Sequence, residues 1–165
     1  MERLHESLRE SKVSWTIDKF ENEEAYKLGK SYETSKFDGN VMLNAGITAL
    51  LQLLATADVV NQYNNANAQL GVGDDATVAS AVQTGLIAAV NKAYAGMEAT
   101  YPTVVDQTVT FKASFAAGEA NFAWNEFVVI NGATADTIAL NRKVEVEGTK
   151  TAGQVWELTL AITLS

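Results

Sequence analysis

Residues 156–164 read WELTLAITL and carry the clearest secondary-structure signal in the chain. Apolar side chains occupy every second position, at Trp156, Leu158, Leu160, Ile162 and Leu164. Successive side chains of a β-strand point to opposite faces, so a period of two predicts a strand with one buried face. We expect that face to lie in a core or in a subunit interface.

Three more stretches of the C-terminal half predict strands. Residues 105–115 place apolar side chains on one face, although Gln107 interrupts it. Residues 121–130 are apolar on both faces, which is typical of a central strand or of a strand beneath an interface. Residues 138–146 form the third stretch, which lies between the turn signals Asn131-Gly132 and 148–151.

Helical spacing dominates the region before these strands. Leu43, Ile47, Leu50, Leu51 and Leu54 recur at the spacing of one helix face, which predicts an amphipathic helix over 41–56. A second helix is predicted over 79–94, and a short strand running into a tight turn over 69–75. The expected fold class is α+β and β-rich. It has an antiparallel sheet or small β-sandwich in the C-terminal half, two helices in the first half and an N-terminal arm.

The first 37 residues hold nearly half of the charged residues of the chain. This contrast predicts a charged arm over 1–37 and a single globular α+β domain over 38–165. Within the arm, alternation predicts one short strand whose apolar side chains need a surface to cover. That surface is either a neighbouring protein, joined by strand addition to a sheet edge, or the arm's own domain. The candidate interface residues are Val13, Trp15, Ile17, Phe20, Trp124 and Phe127.

Composition narrows the classes of partner. The 165 residues suit one domain, and the absence of cysteine excludes disulfides and thiolate metal sites. A formal net charge of −8 disfavours nucleic acid and anionic membranes as partners. The chain shows neither an apolar run of about 18–20 residues nor a signal-peptide core, so we expect a soluble product that is not exported by that route.

Groups with catalytic chemistry are sparse. The single histidine, His5, stands in the charged N-terminal stretch, where a solvated role is expected. The string Gly71-Val72-Gly73-Asp74-Asp75 lacks the third glycine of a dinucleotide-binding loop and the lysine of a phosphate loop. Asp74 and Asp75 leave two readings open, a capped turn or part of a Ca²⁺ site. We expect no enzymatic activity, no cofactor and no metal.

Residues 121–126, NFAWNE, form the most unusual string in the chain. The simpler hypothesis is a core tryptophan whose polar neighbours are tied to turns. The alternative is a carbohydrate-binding adhesion module that uses Trp124, Tyr63 and the Asn-rich segment 61–67 as its binding face.

Six groups of residues, taken together and in order, carry a resemblance to a known family. They are Asn40…Gly46-Ile47…Leu50-Leu51…Leu53-Leu54, Gly71-Val72-Gly73-Asp74-Asp75…Gln83-Thr84, Thr108-Val109-Thr110-Phe111…Phe115, Asn121-Phe122-Ala123-Trp124-Asn125-Glu126, Leu140-Asn141-Arg142-Lys143 and Gly148-Thr149-Lys150. Over residues 38–165 the chain resembles small structural proteins of tailed-bacteriophage virions, which are described as capsid decoration or tail-associated proteins. Residues 1–37 lie outside the resemblance.

The resemblance implies a non-enzymatic structural role in a virion, after synthesis in the cytoplasm of a bacterial host. A short domain with an arm suits a capsid decoration (cement) protein that docks on the lattice of the major capsid protein. A tail, collar or baseplate-associated adaptor or fibre protein is the alternative. The stretch 121–130, apolar on both faces, and the high apolar content of the chain predict a closed homo-oligomer. The resemblance favours a trimer, because decoration proteins tend to sit on symmetry axes.

Overall fold

Two antiparallel sheets of five strands each form the fold. The computed structural model describes residues 11–56, 61–132 and 137–164. In chain order the elements are β1 (Ser11–Phe20), α1 (Glu23–Lys27), β2 (Glu33–Asp38), β3 (Val41–Met42), α2 (Asn44–Ala55), β4 (Gln69–Gly73), β5 (Lys92–Gly96), β6 (Thr103–Val105), β7 (Thr108–Phe115), β8 (Glu126–Ile130), β9 (Asn141–Val144) and β10 (Val155–Leu164). The β-rich α+β fold class predicted from the sequence is confirmed, as a β-sandwich.

The first sheet has the strand order β2-β1-β10-β7-β6. The strand predicted over 156–164 is confirmed as β10, which lies at the centre of this sheet. The side chains of Trp156, Leu158, Leu160 and Ile162 are buried, whereas Leu164 at the end of the strand is exposed. The alternating face therefore packs in the core of this chain along most of its length.

The N-terminal strand is part of the sandwich and not a separate arm. β1 lies between β2 and β10, and it pairs with β10 at ten positions, from Ser11 opposite Leu164 to Phe20 opposite Val155. This register places the apolar side chains of β1 beside those of β10 on the same face of the sheet, with Trp15 opposite Leu160. Such opposed pairs are the units that stabilise a sheet. The boundary predicted at residue 37 is therefore wrong for residues 11–37, which belong to the domain.

The second sheet has the strand order β3-β9-β8-β4-β5. Every residue of its central strand β8 is buried, because both faces of the strand are covered. Phe127 and Val129 pack in the core between the sheets, while Val128 and Ile130 pack against Leu43 and other residues of an outer layer. The central strand predicted within 121–130 is confirmed, although it spans Glu126–Ile130 alone. Strand β9 is likewise shorter than the predicted 138–146.

The outer layer on the second sheet consists of α2 and the irregular segment 74–91. Helix α2 confirms the helix predicted over 41–56, but the helix predicted over 79–94 is wrong: residues 74–91 contain no helix, and β5 starts at Lys92. In a helix the amides of Ile87 and Ala88 would bond carbonyls four residues earlier. Here both amides donate to the carboxylate of Glu126 instead. The β-branched residues and Gly85 of this segment also lower its helix propensity.

Two smaller departures from the sequence expectation have local causes. The strand predicted over 105–115 is a hairpin of β6 and β7, with Asp106 at a φ of 51° in the turn beside Gln107. The short helix α1 was not predicted; the side chain of Asn22 caps it by accepting a hydrogen bond from the amide of Ala25 at 2.9 Å.

We expect Leu160→Ala to lower the free energy of unfolding by about 2–5 kcal/mol, because it leaves a cavity between the two sheets. Leu164→Ala is the matched control, since Leu164 stands on the same face of β10 but is 65% exposed. Its effect should stay within about 0.5 kcal/mol. Urea denaturation measures both, and equal effects at the two positions would contradict the assigned strand.

Deletion of residues 1–37 should abolish cooperative folding. It removes β1 and β2, exposes one edge of β10 and opens the core that Trp15 and Ile17 fill. Deletion of residues 1–10 is the control, because it leaves both strands in place. Near-ultraviolet circular dichroism and thermal melting report the result, and a cooperative transition in the longer deletion would restore the hypothesis of a separate arm.

Candidate functional site

A buried ion pair joins the second sheet to the outer layer. The side chains of Glu126 on β8 and Arg142 on β9 have no solvent exposure, and Arg142 Nε donates to Glu126 Oε2 at 2.8 Å. The same carboxylate accepts hydrogen bonds from the amides of Ile87 at 3.0 Å and Ala88 at 2.8 Å. Three donors therefore surround the Glu126 carboxylate, and two of them fasten the segment 74–91 to the sheet.

Arg142 fastens the same segment at two further points. Its Nη1 donates to the carbonyl of Thr77 at 2.9 Å and to Oε1 of Gln83 at 3.1 Å. Its Nη2 lies 3.6 Å from Oδ1 of Asp75. The guanidinium thus contacts the start and the middle of the segment, and the charge that Arg142 carries is balanced by Glu126 and Asp75.

The two glycines of β4 make room for this arrangement. A Cβ at Gly73 would collide with the carboxylate of Glu126, and a Cβ at Gly71 would lie 2.6 Å from the ring of Tyr94. The glycines of the string Gly71-Val72-Gly73-Asp74-Asp75 therefore serve close packing.

Asp74 and Asp75 lie in a hydrogen-bonded turn. Oδ1 of Asp75 accepts a hydrogen bond from the amide of Thr77 at 2.7 Å, and this bond, with Arg142 nearby, holds the pKa of Asp75 below its usual range. Oδ2 of Asp74 accepts from Nδ2 of Asn91 at 2.7 Å. Within the part of the chain that the structure describes, no three acidic or histidine side chains cluster to hold a metal. The geometry favours the capped turn; His5 lies outside the described residues.

Lys150 holds a second irregular segment, a role that its turn string Gly148-Thr149-Lys150 does not predict. Its side chain is buried, and Nζ donates to the carbonyls of Ala116 and Glu119, each at 2.8 Å, and to Oδ1 of Asn121 at 2.9 Å. Burial lowers the pKa of Lys150. Three acceptors match the three donors of an ammonium group, so Lys150 ties residues 116–121 to the end of the sandwich.

The six candidate interface residues belong to the hydrophobic core and do not lie on the surface. Val13, Trp15, Ile17 and Phe20 on β1, and Trp124 and Phe127 at β8, are all buried within this chain. The ring centroids of Trp15 and Phe127 lie 5.8 Å apart, across the two sheets. An apolar face in a sequence indicates burial against another surface. Here that surface is the opposite sheet, so the assignment of these residues to an interface is corrected.

The residues of the predicted sugar-binding face make contacts within the chain. Trp124 has no exposure, and its Nε1 donates to the carbonyl of Ala120 at 3.0 Å. The hydroxyl of Tyr63 donates to the carbonyl of Ile138 at 3.0 Å, and burial raises the pKa of Tyr63. Asn65 donates to the carbonyl of Tyr101 at 2.6 Å. These aromatic and amide groups hold loops together and do not form a stacking platform for a sugar.

Helix α2 turns its small residues to the sheet and its large apolar residues to the outside. Gly46 and Ala49 are buried, and a Cβ at Gly46 would lie 2.5 Å from the Cα of Leu140. This close approach requires glycine. The amide of Asn44 donates to the carbonyl of Ala81 at 2.9 Å, so α2 and the segment 74–91 lie side by side.

Together these two segments form an outer apolar face. It consists of the exposed large apolar side chains of α2 and of the adjacent segment: Ile47, Leu50, Leu51, Leu54, Val78, Val82, Ile87 and Val90. These eight are more than half of the fifteen large apolar side chains exposed among the described residues, although the two segments are about a fifth of the chain. The two segments therefore concentrate more than half of these exposed apolar side chains in one layer of the sandwich.

A shallow depression of about 360 Å³ opens beside this face. Its lining includes Val78, Lys143 and part of Arg142. Both cations already have acidic partners: Arg142 is paired with Glu126, and Nζ of Lys143 lies 3.2 Å from Oε2 of Glu145. The depression therefore combines apolar walls with cations that are already neutralised.

No family model, curated protein or solved structure matches the chain. In the ranges 11–56, 61–132 and 137–164, none of the helices has the length and apolarity to cross a membrane. Of the features that the structure describes, the outer apolar face has the clearest functional meaning, because large exposed apolar patches mark sites of interaction.

We expect Glu126→Gln to lower the free energy of unfolding by about 3–5 kcal/mol, because it leaves the buried guanidinium of Arg142 without its closest anion. Hydrogen exchange at the amides of Ile87 and Ala88 should accelerate in the same variant. Glu145→Gln is the control, since the Glu145 side chain is 43% exposed and its pair with Lys143 is worth at most about 1 kcal/mol. Similar losses in the two variants would show that the buried pair does not hold the outer layer.

Proposed function

We propose that this protein is a non-enzymatic structural subunit of a tailed-bacteriophage virion, and that its function is assembly. The observation that carries the proposal is the outer apolar face. Burying a fully exposed Val, Leu or Ile side chain contributes roughly 1.5–3 kcal/mol of favourable free energy. Eight exposed Val, Leu and Ile side chains on one side of a small domain are stabilised by a partner surface, as in the subunit of a larger particle.

The positions of the residues that carry the sequence resemblance support this proposal. Gly73, Glu126 and Arg142 come from three of the resembling strings, and they meet in the buried network under the outer layer. Lys150, from a fourth string, anchors residues 116–121. Three of the resembling strings thus supply the contacts under the outer layer, and a fourth fixes a loop at the end of the sandwich.

The use of the buried ionisable groups also supports a structural role. Glu126, Arg142 and Lys150 make their hydrogen bonds to backbone and side-chain groups of this same chain. Catalytic acids and bases need a substrate within hydrogen-bond reach. In this fold the same groups face loops of the chain itself, and their contacts stabilise the architecture.

Within a virion, we propose capsid decoration: docking on the lattice of the major capsid protein, as a homo-oligomer for which the resemblance favours a trimer. A small, compact sandwich suits an accessory protein that is added to a preformed lattice. A position in the tail, collar or baseplate remains the competing assignment.

Electron microscopy of particles from cells that carry this gene tests the proposal. Virions purified on a density gradient should contain the protein by mass spectrometry, and gold-labelled antibody should decorate the heads. Label confined to the tail or baseplate would replace capsid decoration by the competing assignment. Recovery of the protein solely outside the particles would contradict the virion role altogether.

A further inference from the structure

We infer that the outer apolar face is a contact surface between copies of this same chain. The inference rests on the proposed function in one respect, that the protein works as a subunit of an assembly. It goes further in naming what covers the face: the same face, or an adjoining surface, of a second copy. Helix α2 and the segment 76–91 would then be buried in the oligomer.

The distribution of charge favours a second copy. The chain carries a formal net charge of −8, so two copies repel each other unless they meet where charge is absent. Residues 39–56 and 76–91 contain no Asp, Glu, Lys, Arg or His at all. These are the two segments that supply the outer apolar face. The outer apolar face thus coincides with a region where two acidic copies can approach.

The absence of charge within these two segments also bears on partner choice. Complementary charges steer an encounter and select one foreign partner among many. The outer apolar face offers no such groups of its own, and its large side chains are all aliphatic. Homodimer interfaces are more apolar than the rest of the protein surface, whereas non-obligate contacts between different proteins resemble that surface.

The extent of the face matches what a stable contact needs. Burying a fully exposed Val, Leu or Ile removes on the order of 100 Å² of apolar surface, so the eight partly exposed side chains offer roughly 500 Å². With about 60% of an interface apolar, this corresponds to roughly 800 Å² for each copy, the usual contribution to a specific protein–protein interface. The patch is therefore large enough to form one side of a standard-size interface.

Two variants separate this inference from a general loss of stability. Leu51→Glu places a charge on the outer apolar face at a residue that is 60% exposed. Leu28→Glu makes the same change at a residue that is 59% exposed beside α1, whose Tyr26 contacts Glu157 of the first sheet. Because both residues are already exposed, neither change should shift the melting temperature of the folded subunit.

Sedimentation equilibrium and light scattering of the full-length chain provide the measurement. The wild type and Leu28→Glu should give a multiple of the 17.7 kDa subunit mass, while Leu51→Glu should fall to 17.7 kDa or associate about 100-fold more weakly. A wild type that stays at 17.7 kDa at every concentration overturns the inference, as does a Leu51→Glu variant that keeps the wild-type mass.

The other possible occupants give distinct results. If residues 1–10 cover the face, the wild type is monomeric and a deletion of residues 1–10 causes association, which overturns the inference. If a different virion protein covers it, the wild type is monomeric and Leu51→Glu loses its place in the particles. That outcome overturns self-contact but leaves the proposed virion role standing. A wild-type oligomer that is absent from particles supports self-contact and contradicts the proposed virion role.

Discussion

The pairing of β1 with β10 is the constraint on which the rest of the structure depends. It joins residues from opposite ends of the described chain at ten positions, and it places both strands in the interior of the first sheet. β2 pairs with the far side of β1, and β7 pairs with the far side of β10. Without this pairing the first sheet has no centre, and the aromatic side chains of the second sheet have no opposite face to pack on.

A second constraint acts on the other side of the sandwich. Glu126 and Arg142 are buried charges, and a buried charge is costly unless it is paired and hydrogen-bonded. The backbone of residues 77–88 supplies further partners: the amides of Ile87 and Ala88 donate to Glu126, and the carbonyl of Thr77 accepts from Arg142. These bonds hold the irregular segment against the second sheet. Helix α2 beside it approaches the backbone of Leu140 so closely that its small residues must face inward.

These two constraints produce a molecule with two kinds of apolar surface. The aromatic-rich surface between the sheets is closed within one chain, as the contacts of Trp124 with Trp156 and Phe115 show. The aliphatic surface on the outer layer remains open in the single subunit. This open aliphatic surface is the feature on which the proposed assembly role rests.

Much of the architecture could be predicted from local patterns. The period of two in β1 and β10, the two-sided apolarity of β8 and the helical spacing over 41–56 depend on neighbouring residues alone, and the sequence displays them directly. The same patterns indicate that a face is apolar and buried, but they do not identify the surface on which that face packs. Hence Val13, Trp15 and Ile17 could be assigned to an arm, and residues 79–94 to a helix.

The tertiary structure alone decided which surface each apolar strand or helix face packs against. Pairing between opposite ends of the described chain made the N-terminal strand part of the core, because its apolar positions stand opposite those of β10. The carboxylate of Glu126 accepts hydrogen bonds from the amides of Ile87 and Ala88, which a helix over 79–94 would have bonded internally. The close packing of Gly46 on Leu140 turned the leucines of α2 outward. By itself, then, the sequence determined which residues are apolar and at what period. Which of them meet in the core was decided by long-range hydrogen bonding and packing, since the groups involved are far apart in the chain.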